Sequence, residues 1–168
     1  MLIAVFALKW FWPISVFYVV RMFYGRVGLQ GLYLTFLEEA SAQLSTALKL
    51  IAEAKDGVVV NCVLGKDRTG TISALVLLAL EVPTERVCYD YSLTGRYLTQ
   101  EYISQMLKQV NLDTDEMASA SKGTMAQTIT YLVIKYGSVE KYFDTIGFDA
   151  EWRAKLRANF TEPINTAS

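Results

Sequence analysis

The sequence contains no histidine. That absence excludes Ser-His-Asp and Cys-His catalysis, and every His-ligated metal with them. Cysteine is nearly missing as well. Cys62 and Cys88 are the two present, and they form neither a disulfide framework nor a zinc-type spacing. A reducing compartment is the natural reading. An excess of one sign of charge is also lacking, 16 basic residues standing against 17 acidic. No global field therefore favours nucleic acid or an acidic membrane surface. Internal repeats and low-complexity tracts are absent too. Any chemistry must use Cys, Arg, Lys or carboxylates, and neither a metal nor a cofactor is expected.

What is present is apolar and aromatic. The 168 residues fit one domain, large enough to bury a substantial core. Hydrophobic residues make up 52% and the mean hydropathy is +0.25. Ten Tyr, eight Phe and three Trp argue for an ordered interior. Residues 1–20 are apolar but for Lys9, with Pro13 and Ser15 as weak interruptions. A run of that length can span a bilayer, and Arg21 and Arg26 behind it would hold the rest on the cytoplasmic side. The competing reading is a buried helix or strand, or a start other than the natural one. The run lacks the basic n-region and small-residue cleavage site of a signal peptide. The predicted organisation is a hydrophobic segment at 1–20, a domain at 21–160 and a tail at 161–168. The expected location is cytoplasmic, with membrane association through residues 1–20 as the variant.

From Leu29 to Ala54 apolar residues recur at helical spacing, among them Tyr33, Phe36, Leu37, Leu44, Leu48 and Ile51. Glu38, Glu39, Gln43 and Lys49 fall on the other side, and Gly57 suits the end. Val58-Val59-Val60 reads as a short buried strand. The turn Leu64-Gly65-Lys66-Asp67 then leads into an apolar helix from Thr69 to Leu80, stopped by Pro83. Helices follow from Thr84 to about Tyr91 and from Tyr97 to Val110, then a polar loop from Asp113 to Lys122. A helix containing Met125, Ile129, Leu132 and Tyr136 stops at Gly137. Ser138 caps a short one stopped by Gly147, and Asp149 caps the last, with Trp152, Leu156 and Phe160 inward. The predicted fold class is α/β: a strand–loop–helix core, predominantly helical, with a small or truncated central sheet.

Cys62 thus lies where a strand runs into a loop that opens a helix, in Cys62-Val63-Leu64-Gly65-Lys66-Asp67-Arg68-Thr69-Gly70. A thiolate attacking a phosphate ester must lose its proton near neutrality and must approach an anion. A helix N-terminus addresses both, since its free N–H groups lower a cysteine pKa and bind phosphate. The residues from Val63 to Asp67 are enough to curl N–H groups around phosphate oxygens. Arg68 can hold two of those oxygens bidentately as charge develops. Thr69 can donate its hydroxyl to the sulfur and help the thiolate leave. Gly65 allows a backbone a Cβ would resist, and Gly70 allows close packing of helix against strand. The competing reading of Cys62 is a buried thiol beside an ordinary turn. Cys88, with no Arg six residues on, reads as a core or semi-exposed thiol.

The segment from Val58 to Gly70 resembles the signature HCxxGKDRTG of the bacterial and fungal tyrosine/serine protein phosphatases, a Cys-x5-Arg family. Asp90-Tyr91-Ser92-Leu93-Thr94-Gly95-Arg96-Tyr97-Leu98 is similar to its DYLLTNxYL segment. Tyr136-Gly137-Ser138-Val139-Glu140-Lys141-Tyr142-Phe143, with Ile146-Gly147, is similar to its YGSxExYL…LG helix pair. By that resemblance Cys62 is the nucleophile and Arg68 the phosphate clamp. Val63, Leu64, Gly65, Lys66, Thr69 and Gly70 line the phosphate site. Asp67 stands where relatives with an acidic residue in the loop are thought to place their general acid; a loop-stabilising salt bridge is its other reading. Lys66 resembles the lysine of loops that accept phosphoinositide head groups, or is a solvated lysine. Two departures stand out. Asn61 replaces the family's His and cannot carry positive charge, which implies a Cys62 pKa above that of relatives and slower turnover. About 60 residues precede Cys62, fewer than in relatives, which implies a remnant sheet or a fragment of a larger gene. The implied function is hydrolysis of phosphotyrosine or phosphoserine proteins, or of phosphoinositides, through a phosphocysteine. A pseudophosphatase, binding phosphate or acting as a scaffold with little turnover, is the alternative. Sulfur transfer of the rhodanese type and a membrane-anchored structural protein are further readings.

Overall fold

The computed structural model describes residues 28–62, 64–99, 101–103, 105 and 120–161. Seven helices order them: α1 over 28–39, α2 Ser41–Glu53, α3 Asp67–Ala79, α4 Thr84–Tyr97, α5 Lys122–Tyr136, α6 Val139–Thr145 and α7 Ala150–Phe160. Residues 101–103 and 105 are also helical.

The predicted central sheet is not there: among the described residues no strand occurs. Val58-Val59-Val60, predicted as a buried strand, runs without regular structure. It is exposed, Val59 to 93%. The reason is physical. A β-branched run has strand propensity, but a strand exists only when a neighbour pairs its N–H and C=O groups, and none of the described residues lies alongside as a strand. The fold of the described residues is helical.

One helix was predicted over Leu29–Ala54. Two occur, meeting at Ala40, whose φ of −103° and ψ of 19° leave the helical well. The bend lets one amphipathic stretch serve two interiors. Leu29, Leu32 and Tyr33 of α1 pack with Val87 and Tyr91 of α4 and Met125 and Ile129 of α5. Leu37, Leu44, Leu48 and Ile51 pack instead with Leu75 of α3, Leu132 of α5, Tyr142, Phe143 and Phe148 around α6, and Leu156 of α7. Helix α3 lies between the two groups, giving Ala74 to the first and Ile72, Leu75 and Ala79 to the second. Its neighbours are α2, α4 and α7. The helix opened by the cysteine loop is therefore packed on several sides, with Arg68 its one exposed residue.

The C-terminal half follows the sequence closely. The Ser121 hydroxyl accepts from the Thr124 N–H at 3.1 Å and caps α5, which Gly137 ends at φ 88°, a left-handed position suited to glycine. Ser138 caps α6 by accepting from the Lys141 N–H. Asp149 caps α7 by accepting from the N–H groups of Glu151 and Trp152. Leu156 is fully buried on α7, whereas Phe160 is 44% exposed. Helix α4 continues past Tyr91 to Tyr97, and the helical residues 101–103 and 105 follow a break at 98–99, so the helix expected from Tyr97 starts later. Glu38 clasps α1 to α5: it accepts from the Tyr131 hydroxyl at 3.0 Å and the Tyr136 hydroxyl at 2.9 Å, and pairs with Lys135. Beside it the Tyr142 hydroxyl donates to the Leu37 carbonyl at 3.0 Å.

The hydrophobic run at 1–20 and most of the tail lie outside the described residues, as do most of 97–110 and of the polar loop. Among the described residues no helix is long and apolar enough to cross a membrane.

Candidate active site

Among the described residues, the segment joining α2 to α3 has no regular structure until Asp67, the first residue of α3. Two features shape it. Gly65 adopts φ 64°, in the left-handed region where a Cβ is resisted. A Cβ there would also stand 3.2 Å from Asn61 Oδ1, so the side chain of exposed Asn61 lies beside Gly65. The loop closes on the helix through the Gly70 N–H, which donates to the Lys66 carbonyl at 2.8 Å.

Cys62 is half-buried inside this turn. Burial pushes its thiol up, because a desolvated thiolate is disfavoured. The Thr69 hydroxyl and the backbone N–H groups of Thr69, Leu64 and Gly65 outweigh that, and the pKa falls from 9.0 to about 7. Three main-chain donors and one hydroxyl thus converge on one sulfur. The first N–H groups of a helix have no partner within it, which is why Thr69, in the first turn of α3, has one to offer. Thr69 Oγ1 is buried and makes no full hydrogen bond within the described residues; the sulfur is what its dipole addresses.

The remaining loop residues divide. Arg68 is exposed in the first turn of α3, and no described carboxylate pairs with it. Val63 lies outside the described residues. Lys66 is not a solvated lysine: it is 1% exposed, and its ammonium lies 2.9 Å from Asp67 Oδ1. Asp67 is thus in the salt bridge that was its plainer reading, while its side chain keeps 24% of its surface open. Gly70 does allow close packing, but against an aromatic ring rather than a strand. A Cβ on it would fall 2.8 Å from Cδ2 and Cε2 of Tyr91. Cys88 is buried between α4 and α5, and burial raises its pKa against the pull of Lys122. It is a core thiol.

Sequence reasoning placed Tyr33 in a helix core and missed that its hydroxyl donates to Asp67 Oδ1 at 3.1 Å. The Tyr91 hydroxyl lies 2.6 Å from that of Tyr33. Burial, then the Asp67 charge, holds the Tyr33 hydroxyl protonated far above its usual range. Burial likewise pushes Tyr91 up to about 12, against the hydrogen bond it shares with Tyr33. The Asp-Tyr pair of the 90–98 segment was the available signal for Tyr91; nothing in the periodicity of α1 separates Tyr33 from any other core aromatic. Beside the loop, a cleft of about 170 Å³ runs between α3 and α4, lined by Gly65, Thr69 and Ser73 on one side and Asp90, Tyr91 and Thr94 on the other.

The sequence profile of the tyrosine phosphatase family matches residues 21–162, which includes the whole loop and every helix just described. The chain belongs to the tyrosine phosphatase family. It is also similar to a tyrosine-protein phosphatase of Nostoc commune, 34% identical over 67 residues. That match covers 39% of this chain and 23% of the relative, so the chain spans less than a quarter of the length of the curated relative it matches. In this family member the elements around the cysteine are helices throughout the described residues.

Proposed function

We propose that this tyrosine phosphatase family member hydrolyses phosphate monoesters through a phosphocysteine formed on Cys62. The observation that carries the reading is the convergence of the Leu64, Gly65 and Thr69 N–H groups on the sulfur, which lowers its pKa to about 7. Donors that stabilise a thiolate also suit the oxygens of a bound phosphate, since both are anions at one helix terminus.

The steps follow from that geometry. The Cys62 thiolate attacks phosphorus, the S–P bond forms and the ester P–O bond breaks. Its electrons go to the leaving oxygen, which takes a proton from Asp67. Water then attacks phosphorus, Asp67 takes its proton, and the S–P bond breaks to return the thiolate. Arg68, exposed and without a described carboxylate partner, is the clamp on the equatorial oxygens. The Thr69 hydroxyl supports the sulfur as it leaves. Leu64, Gly65 and Thr69 supply main-chain donors, and Gly70 sets the helix behind them. Lys66 acts through Asp67, with which its ammonium pairs. Phosphotyrosine or phosphoserine proteins and phosphoinositides are the proposed substrates.

The test is phosphate release from an aryl phosphate. Cys62→Ser and Arg68→Ala are each expected to abolish turnover, by roughly 10⁴-fold or more for the nucleophile. Turnover that survives Cys62→Ser rejects the phosphocysteine. Asn61, which cannot take the charge of the family's His, favours a second reading, a phosphate-binding pseudophosphatase. Inorganic phosphate binding with no turnover in the unaltered protein would select it.

A further inference from the structure

Tyr33 and Tyr91 are joined to the carboxylate of Asp67 by a chain of hydroxyls. Tyr33, fully buried on α1, donates to Asp67 Oδ1 at 3.1 Å. Tyr91, 4% exposed on α4, stands 2.6 Å behind it, hydroxyl to hydroxyl. Lys66 Nζ falls on the same Oδ1 at 2.9 Å. The directions are fixed by chemistry. A carboxyl oxygen that bears no proton only accepts, so Tyr33 donates to Oδ1; the Tyr33 oxygen is then free to accept from Tyr91. A proton placed on Oδ1 would displace both donors, whereas among the described residues no bond reaches Oδ2. Packing alone does not call for this chain of hydroxyls. Phenylalanine would fill the same space without two polar groups to satisfy. The approach of Tyr91 also depends on the missing Cβ at Gly70, which would sit 2.8 Å from its ring.

We propose that Tyr33, backed by Tyr91, is a positioning residue for Asp67, fixing Oδ1 as the accepting oxygen and leaving Oδ2 to deliver and recover the proton. This rests on the phosphocysteine reading above and deepens it.

The experiment measures kcat/KM over a series of aryl phosphates whose leaving phenols span a wide range of acidity. A general acid matters most for the most basic phenol, so its loss steepens the dependence of rate on leaving-group acidity. Asp67→Asn is expected to lose roughly 10²-fold on the most basic phenol and little on the most acidic. Tyr33→Phe and Tyr91→Phe are expected to steepen the same plot, with about a tenfold loss at the basic end for Tyr33→Phe. Tyr142→Phe removes a buried hydroxyl from the other core group, where it bonds the Leu37 carbonyl; its slope is expected to match the unaltered protein. Thermal midpoints report folding, and Tyr91→Phe carries the readout if Tyr33→Phe does not fold. Equal losses on every phenol, or none, in both tyrosine variants overturn the positioning role alone. An unaltered protein inert toward the whole series overturns the functional reading and the positioning role together.

Discussion

At the scale of single residues, the chemistry turns on the sulfur of Cys62. Its pKa of about 7 lies below the usual 9.0, so the thiolate is the minor form below pH 7 and the major form above it. Alkylation of Cys62 by iodoacetamide is expected to rise through a midpoint near pH 7 and to fall about tenfold per unit below it, since only the thiolate reacts. Thr69→Ala removes the hydroxyl that helps lower the pKa, and the midpoint is expected to move up toward 9.0. A midpoint already near 9.0 in the unaltered protein would reject the nest of donors. The cysteine loop was legible in the sequence because its residues act on near neighbours: Gly65 and Thr69 meet Cys62 within a single turn. The burial of Lys66 and the bond from Tyr33 were not. The bond from Tyr33 depends on α1 lying against the start of α3, and a contact across 34 positions leaves no local pattern.

At the scale of elements, the join between α3 and α4 depends on Gly70. Alanine within a helix is better than glycine by about 1 kcal/mol, so Gly70→Ala would stabilise α3 in isolation. Against the Tyr91 ring, with atoms 2.8 Å from the new Cβ, overpacking costs about 1–3 kcal/mol. Net destabilisation is expected in urea unfolding, and it should shrink when Tyr91→Leu is combined with it. Additive losses in the double variant would show that the ring is not what the methyl meets. The caps of α5, α6 and α7 were readable because Ser121, Ser138, Asp149 and Gly137 act within three or four residues of themselves. The bend at Ala40 was not, because the apolar spacing continues across it. What bends the chain is the division of its buried face between two interiors.

At the scale of the whole molecule, the predicted sheet failed where the helices succeeded, and the difference is where the hydrogen bonds go. A helix satisfies its backbone from within, so periodicity announces it. A strand needs a partner that may be anywhere in the chain, and Val58-Val59-Val60 has none among the described residues. Leu48→Ala, at a side chain with no exposed surface, is expected to cost about 2–5 kcal/mol. Val59→Thr, at 93% exposure, is expected to stay within about 0.5 kcal/mol. A large loss at Val59 in thermal unfolding would mean that something covers it. The clasp at Glu38 carries a consequence for how such sequences diverge. Helix α1 is sewn at one end to Tyr131, Lys135, Tyr136 and Tyr142 and touches Asp67 one turn away through Tyr33. A change of sign at residue 38 would set two cations, or two bare hydroxyls, where a carboxylate had gathered them. Lineages that alter that position inherit an obligation at 131, 135 and 136.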